Sequence, residues 1–412
     1  MYFIARRIYQ NGEAGRVSAS AVRIATAGVA VGILVMIISI CVTVGFQNEI
    51  KTRIASLIGH IQIINTQSQY RTTYSVPIQI NESLRNEIQE IPGVKTVRRF
   101  SQCPGMVKTD AEFRGIFFRG IEAVNTLSFL EQNLITGKVP SFGCGEVPSD
   151  SILLSSTMAS SLQIQVGDKV HAYFFDGGLR ARRFVVSGIF STNIADFDTR
   201  MCYADIRSIQ RLAGWEQDQF SGAEVIIDDF NSIHSISSKI SEMMYMREDA
   251  YGYYYFAPRV DELFPQIFSW LTLLDINVIA ILILMICIAG VTMTSGLLII
   301  ILERTRFIGV MKAMGATNGQ LRRTFLYLAT MIVVRGLIYG NTIALSILFL
   351  QKLTGIIKLD PASYYLSQVP VYFPWAEIII INIVTLIVCV SVLVVPSYII
   401  SRIQPVRSIK FE

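Results

Sequence analysis

Four stretches of the chain are almost free of charge: residues 24–46, 276–302, 324–350 and 378–400. The first and last are 23 residues long and the middle two 27, with Arg335 the sole interruption of the third. At about 1.5 Å per helical residue, each exceeds the ~30 Å hydrocarbon core of a bilayer. One such run could be a buried helix of a soluble protein, but four predict membrane spans. The expected fold class is an α-helical membrane protein with four transmembrane helices. A large mixed α/β extracytoplasmic domain, residues 47–275, is inserted between the first and second.

The pattern outside the runs is just as regular. Ile50, Ile54, Leu57 and Ile58 recur at helical spacing as far as Gly59, so the first helix is predicted to continue to that breaker. Val260, Leu263, Phe264 and Ile267 share one helical face and predict a matching stalk before the second run. Tyr251, Tyr253, Tyr254, Tyr255 and Trp270 cluster there, as rings at a membrane interface do. Between the stalks, "HIQIIN", "FRGIFFRGI" and "AEVIID" read as strands. "ESLRNEIQEI", closed by Pro92-Gly93, "SSTMASSLQI" and "CYADIRSIQRLAG" read as helices. "VGDKVHAYFF" and "RARRFVVSGIF" form a hairpin across Asp176-Gly177-Gly178.

The short connection "ERTRFIGVMKAMGATNGQLRR", residues 303–323, is the most informative stretch. Phe307, Met311 and Met314 fall on one helical face with Ile308 beside them, and Gly315 suits the position just past a helix end. Thr317 and Gln320 have capping-box spacing. The prediction is a short helix, a glycine break and a new helix running into the third span. A loop held inside by charge explains Arg304, Arg306 and Lys312. It does not explain the projecting Phe and Met, which suit a docking surface for a cytosolic partner.

Charge then sets the orientation. Residues 1–23 carry Arg6, Arg7, Arg16 and Arg23 against Glu13, and residues 303–323 carry five basic groups against Glu303. The tail, 401–412, carries Arg402, Arg407 and Lys410 against Glu412, whereas 351–377 is balanced. Both termini and the 303–323 segment are therefore expected in the cytoplasm, with the 47–275 domain and the 351–377 loop outside. "YFIARRIY" at the start suits either a short interfacial helix or a loose tail. Within the spans, Gly28 and Gly32 make a small-x-x-x-small pair that permits close helix approach. Arg335 is costly at mid-depth, about 2.5–3.5 kcal/mol, unless it reaches the cytoplasmic face or a polar partner such as Asn382.

Composition excludes several functions. The outer segment holds 21 basic and 26 acidic residues, which does not suit nucleic acid. Three cysteines, Cys103, Cys144 and Cys202, lie outside the spans without C-x-x-C spacing, and His60, His171 and His234 are scattered. Neither a zinc site nor a disulfide framework is expected, though a Cys103–Cys144 bridge stays open. No Walker A, H-E-x-x-H, G-x-S-x-G or G-x-G-x-x-G motif occurs, so the chain is expected to be no enzyme and to bind no cofactor itself.

"ERTRFIGVMKAMGATNGQLRRTF" resembles the cytoplasmic coupling segment of permeases with the FtsX-type fold. "ARRIY" followed by "VRIATAGVAVGILVMIISICVTVGFQNEI" resembles lipoprotein-releasing system permeases, the LolC/LolE family. So do "SSTMASSLQIQVGDKV", "RRFVVSGIFSTNIADFDTRMCYADIRSIQRL", "KLDPASYYLSQVPV" and the ending "PSYIISRIQPVRSIKFE". The resemblance implies a permease of the bacterial inner membrane that pairs with a second permease subunit as a homo- or heterodimer. A cytosolic ABC ATPase dimer, which holds the ATP and Mg, would dock on Arg304, Arg306, Phe307, Ile308, Met311, Lys312, Met314 and Gly315. An acylated lipoprotein would pass from the outer leaflet into a cleft between the first two spans and on to a periplasmic carrier. Met36, Ile40 and Val44, facing Leu271 and Leu274, are the expected cleft residues, although ordinary helix packing gives the same spacing. Only "FDGGLRARR" joins the hairpin strands where a carrier-recruiting family member has a longer protrusion, so this chain is not expected to hold the carrier that way. Peptide or drug exporter permeases and FtsX-like regulators of cell-wall hydrolases share the fold and stand as alternatives.

Overall fold

The structure, a computed structural model, describes residues 16–70, 76–109, 112–122, 127–143, 148–175 and 178–398. The "YFIARRIY" segment, Cys144, the Asp176-Gly177 turn and the 401–412 tail lie outside the described residues. The chain divides into two units: residues 1–47, 270–358 and 368–412 form one, and residues 48–269 with 359–367 the other.

Four helices are long and apolar enough to cross a membrane. The first helix is Arg16–Ile58, the second Pro265–Glu303, the third Asn318–Thr354 and the fourth Trp375–Val392. The first runs through its predicted stalk without interruption and stops at Gly59, whose φ of +78° ends the helical path. The second approach differs from the sequence pattern. Val260–Leu263 is a separate turn, and Phe264 breaks it with φ −124° and ψ 58°. The cause is Pro265, which disfavours helical geometry in the residue before it and then serves as the first residue of the long helix.

Val29, Ile33 and Met36 of the first helix form one core with Ala289 and Met293 of the second, Phe325 and Ile332 of the third, and Ile381 and Cys389 of the fourth. Small residues set the close approaches. A Cβ on Gly28 would come 2.5 Å from Thr292 Cγ2, and one on Gly32 lies 3.6 Å from Ala289. Gly336 and Gly340 of the third helix do the same against Val29 and Ile33, a second small-x-x-x-small pair.

The other unit is built on a ten-stranded sheet among the described residues. Its strands are β1 (Ile61–Asn65), β3 (Val94–Lys108), β4 (Phe113–Ile121), β5 (Leu134–Gly137), β6 (Ser151–Ser155), β7 (Lys169–Phe174), β8 (Arg180–Phe190), β9 (Met201–Asp205), β11 (Gly222–Ile227) and β12 (Tyr255–Phe256). β2 (Ile78–Gln79) and β10 (Gln219–Phe220) form a separate ladder. The order is β12-β1-β11-β3-β4-β9-β6-β8-β5, with β7 bridging β3 and β8. The β4–β9 and β6–β8 pairs are parallel and the rest antiparallel. Phe118, Phe174 and Phe184 stack at the centre of a core completed by the helices Ser156–Leu162 and Ile206–Ala213.

One element departs from the sequence reading, and another is a strand that the sequence reading left unassigned. "CYAD" is strand rather than helix, because β9 is buried on both faces and so lacks alternation. Asp205 then caps the following helix by accepting from Arg207 N–H at 3.0 Å. The 15-residue β3 passes through Pro104, which argues against a strand interior. Pro104 is tolerated because β11 pairs with β3 only as far as Phe100 and β7 joins only at Met106. The proline sits in the gap, where that edge needs no donor.

Candidate coupling elbow and the helix faces around it

The connection after the second helix folds as the sequence pattern suggests, and its ends are closed by specific hydrogen bonds. The elbow helix is Thr305–Ala313. At its end Ala316 N–H donates to Met311 O and Gly315 N–H to Lys312 O, both at 3.0 Å, which is the Schellman pattern. Gly315 adopts φ +93° with open space around it. The next helix starts at once. Gln320 N–H donates to Thr317 Oγ1 at 3.3 Å, and Gln320 Oε1 accepts from Thr317 N–H at 3.1 Å.

The faces of the elbow helix are not distributed as predicted. Ile308 is fully buried in the core of the apolar helices and Met311 packs against that core. Phe307 is half-buried. Met314 is 70% exposed, and Val310, which the sequence reading passed over, is 44% exposed. The outward stripe is therefore Arg306, Val310 and Met314 at four-residue spacing, with Arg304 and Lys312 half-buried at its sides. Partial burial lowers the Lys312 pKa from its ordinary value. The Phe307–Met311–Met314 face expected from spacing is split, because a helix joined to two spans must turn one flank to them. Arg322, counted above only as a positive charge, donates to Ser397 Oγ at 3.2 Å and lies 3.7 Å above the Tyr398 ring. It ties the start of the third helix to the short helical turn Val394–Ser397 that follows the fourth.

The first two helices touch at both ends of their shared length. Beyond the Gly28 and Gly32 contacts, Gln47 Nε2 donates to Leu271 O at 3.1 Å and to Asp275 Oδ1 at 2.8 Å. Phe46 and Trp270 meet edge to face at 5.5 Å. Of the expected cleft residues, Met36 and Leu271 are buried, and Ile40, Val44 and Leu274 are half-buried. On the second helix the exposed apolar side chains are other ones, among them Leu273, Ile276, Ile279, Ile283 and Leu284. An all-apolar helix gives no periodicity by which that face could be chosen from sequence.

Asn382 does not meet Arg335. Its amide pairs with Asn341 of the third helix. Arg335 is exposed on another flank, six residues and so about 120° around the helix from Asn341. Among the described residues no group of His, Cys, Asp and Glu could hold a metal ion, and Cys103 and Cys202 are both buried.

Two family descriptions match this chain: the MacB-like periplasmic core domain over residues 24–243 and the FtsX-like permease C-terminal over residues 277–405. The chain is 20% identical to the lipoprotein-releasing system transmembrane protein LolE of Haemophilus influenzae, with 98% of each chain covered. It is also 20% identical to the LolC protein of Neisseria meningitidis serogroup B over 94% of both. Among solved structures, the periplasmic region of MacB from Actinobacillus actinomycetemcomitans aligns with 50% of this chain and 91% of its own, at 13% identity and a TM-score of 0.34. With its four long apolar helices, the protein is a multi-pass membrane protein.

Proposed function

Because the chain belongs to the MacB-like periplasmic core domain family and also carries an FtsX-like permease module, we propose that it is the transmembrane permease subunit of an ABC transporter. Its cargo is an acylated lipoprotein, drawn from the outer leaflet of the inner membrane and passed to a periplasmic carrier. The relatives named as lipoprotein-releasing proteins support that cargo, since they match this chain from end to end.

The observation that carries the proposal is the elbow. A helix of nine residues, closed at its end and capped into the next helix, presents Arg306, Val310 and Met314 outward from a connection between two apolar helices. A passive loop has no need of a fixed apolar stripe between charges. Such a stripe suits a groove on an ATPase, with the apolar side chains as anchors and the charges as rim. The ATP and Mg reside on that partner, a second permease subunit completes the membrane part, and both termini lie on the ATPase side.

Purification of the intact complex tests this. An ABC ATPase and an acylated protein should copurify, and ATP should discharge the acylated protein. Recovery of a cell-wall hydrolase and no acylated cargo would instead support the regulator reading, and transport of a peptide or drug the exporter reading.

A further inference from the structure

The last turn of the first helix is bonded to charge buried inside the sheet. Arg98 on β3 stands opposite Glu224 on β11, and Glu224 also pairs with Arg119 of β4. Arg98, Glu224 and Arg119 are 8%, 4% and 3% exposed. Arg98 Nη2 lies 2.8 Å from Glu224 Oε2 and also donates to the Ser56 carbonyl at 3.3 Å. Arg119 donates to Gln102 Oε1 at 3.0 Å and rests 4.1 Å above the Phe100 ring. Two guanidinium groups share one carboxylate, so net positive charge sits beneath the negative end of the helix dipole. Gly59 sets the approach. Its φ is +78°, and a Cβ there would come 2.8 Å from Glu224 Cβ.

Stability alone does not account for this cluster. Replacing a buried ion pair by apolar groups of similar volume is often neutral or stabilising. An apolar filling would close the sheet equally well, but it could not hold the Ser56 carbonyl. That carbonyl lies on the helix side of the Gly59 break and Glu224 lies on the sheet side.

We propose that Arg98 is a positioning residue that bridges the Gly59 break, so that displacement of the Arg16–Ile58 helix passes into the sheet instead of being absorbed at the glycine. The inference rests on the permease reading, in which ATP-driven motion of the apolar helices performs release. Both bonds come from Arg98 Nη2, held at the end of a rigid, weakly hydrated guanidinium plane, whereas an ammonium is a compact and strongly hydrated point charge.

The test uses the full ATPase–permease complex in vesicles of phosphatidylethanolamine and phosphatidylglycerol, loaded with a triacylated protein. ATP hydrolysis and release are measured on one sample, together with amide exchange over residues 55–60. Arg98→Met keeps the Arg119–Glu224 pair and much of the side-chain volume. It should leave hydrolysis within about twofold while release per ATP falls about tenfold, an effect typical of altered coupling. Exchange at His60, whose N–H bonds Val225 O at 2.9 Å, should accelerate. Arg98→Lys should recover part of the release. Arg99→Met is the control: it removes the neighbouring pairs to Glu82 at 3.0 Å and Glu122 at 2.6 Å and should release as the wild type does. Wild-type release per ATP in Arg98→Met overturns the proposal, as does an equal loss in Arg99→Met. If the wild-type complex releases nothing, the permease reading fails, and unchanged exchange in Arg98→Met still refutes the bridge.

Discussion

Asn341 and Asn382 form a reciprocal amide pair between the third and fourth helices. Asn341 Nδ2 donates to Asn382 Oδ1 at 2.7 Å, and Asn382 Nδ2 donates back to Asn341 Oδ1 at 3.1 Å. Each amide also donates to a carbonyl one turn earlier on its own helix, Leu337 O or Ile378 O. The pair links the third and fourth helices within their long apolar stretches. Interhelical hydrogen bonds in membranes couple by about 0.6 kcal/mol on average and up to about 1.7 kcal/mol. A double-mutant cycle of Asn341→Leu and Asn382→Leu, read by thermal unfolding in detergent, should return a value in that range. Arg335→Leu should leave it unchanged.

The elbow helix separates stability from docking. Ile308→Ala removes a fully buried side chain and should cost about 2–5 kcal/mol of stability. Val310→Ala and Met314→Ala should each change stability by about 0.5 kcal/mol or less. If the outward stripe docks an ATPase, the pair together should weaken its binding by about 2 kcal/mol, roughly thirtyfold. Phe307→Ala should show both effects in part. Melting curves and titration of the purified ATPase distinguish the two classes. Unchanged binding in the Val310/Met314 double variant would return this stretch to a charged loop.

Gly315 and Gly319 both have open space around their Cα and should respond in opposite directions. Gly315 needs φ +93°, so Gly315→Ala should cost about 1–2 kcal/mol and a β-branched residue more. Gly319 lies inside the first turn of the third helix, where alanine should gain up to about 1 kcal/mol. Thermal unfolding of the two variants side by side is sufficient. In the complex, Gly315→Val should let ATP be hydrolysed while release falls, because the elbow is aimed wrongly.

His60 should make the stability of the sheet unit pH-dependent. Burial, reinforced by the charge of Arg98, pushes its pKa down to about 4, and its Nδ1 accepts from Ile227 N–H at 3.3 Å. An unfolded histidine titrates near 6.5, so between those values the unfolded chain binds more protons than the folded one. Stability is therefore intact above about pH 6.5 and falls as the pH drops toward 4, by up to about 3 kcal/mol. His60→Asn should flatten that slope in melts at pH 7.5 and pH 5.

The parts of the fold that could be read in the sequence are those set by short-range rules. The four apolar runs, the Gly59 stop, the Gly315 break and the Thr317–Gln320 box need only a few neighbouring residues each. β9 and β3 could not be read, since one is buried on both faces and the other contains a proline tolerated only because two neighbouring strands leave a gap. The site was legible in its place along the chain but not in its orientation. Spacing grouped Phe307 with Met311 and Met314, whereas packing against the spans turned Met311 inward and Val310 outward. The sequence reading offered Asn382 as a partner for Arg335, whereas it pairs with Asn341, a residue that no short-range rule singles out. Arg98 and Glu224 lie 126 positions apart and carry no mutual signal in a single sequence.

The two chain segments at the root of the sheet unit have a consequence for how such a chain could be assembled or recombined. His60 O accepts from Val260 N–H at 2.9 Å, and Gln62 N–H donates to Pro258 O at 3.0 Å, so the segment leaving the first helix and the one approaching the second lie side by side. A module whose two ends are already hydrogen-bonded neighbours needs no particular span between its attachment points. It can be exchanged as a cassette, with one cut at each side of that ladder, and its replacement need match only the gap of a single strand pair. Variation in the sheet unit of such proteins can then proceed without altering the sequence of the helices on either side of it.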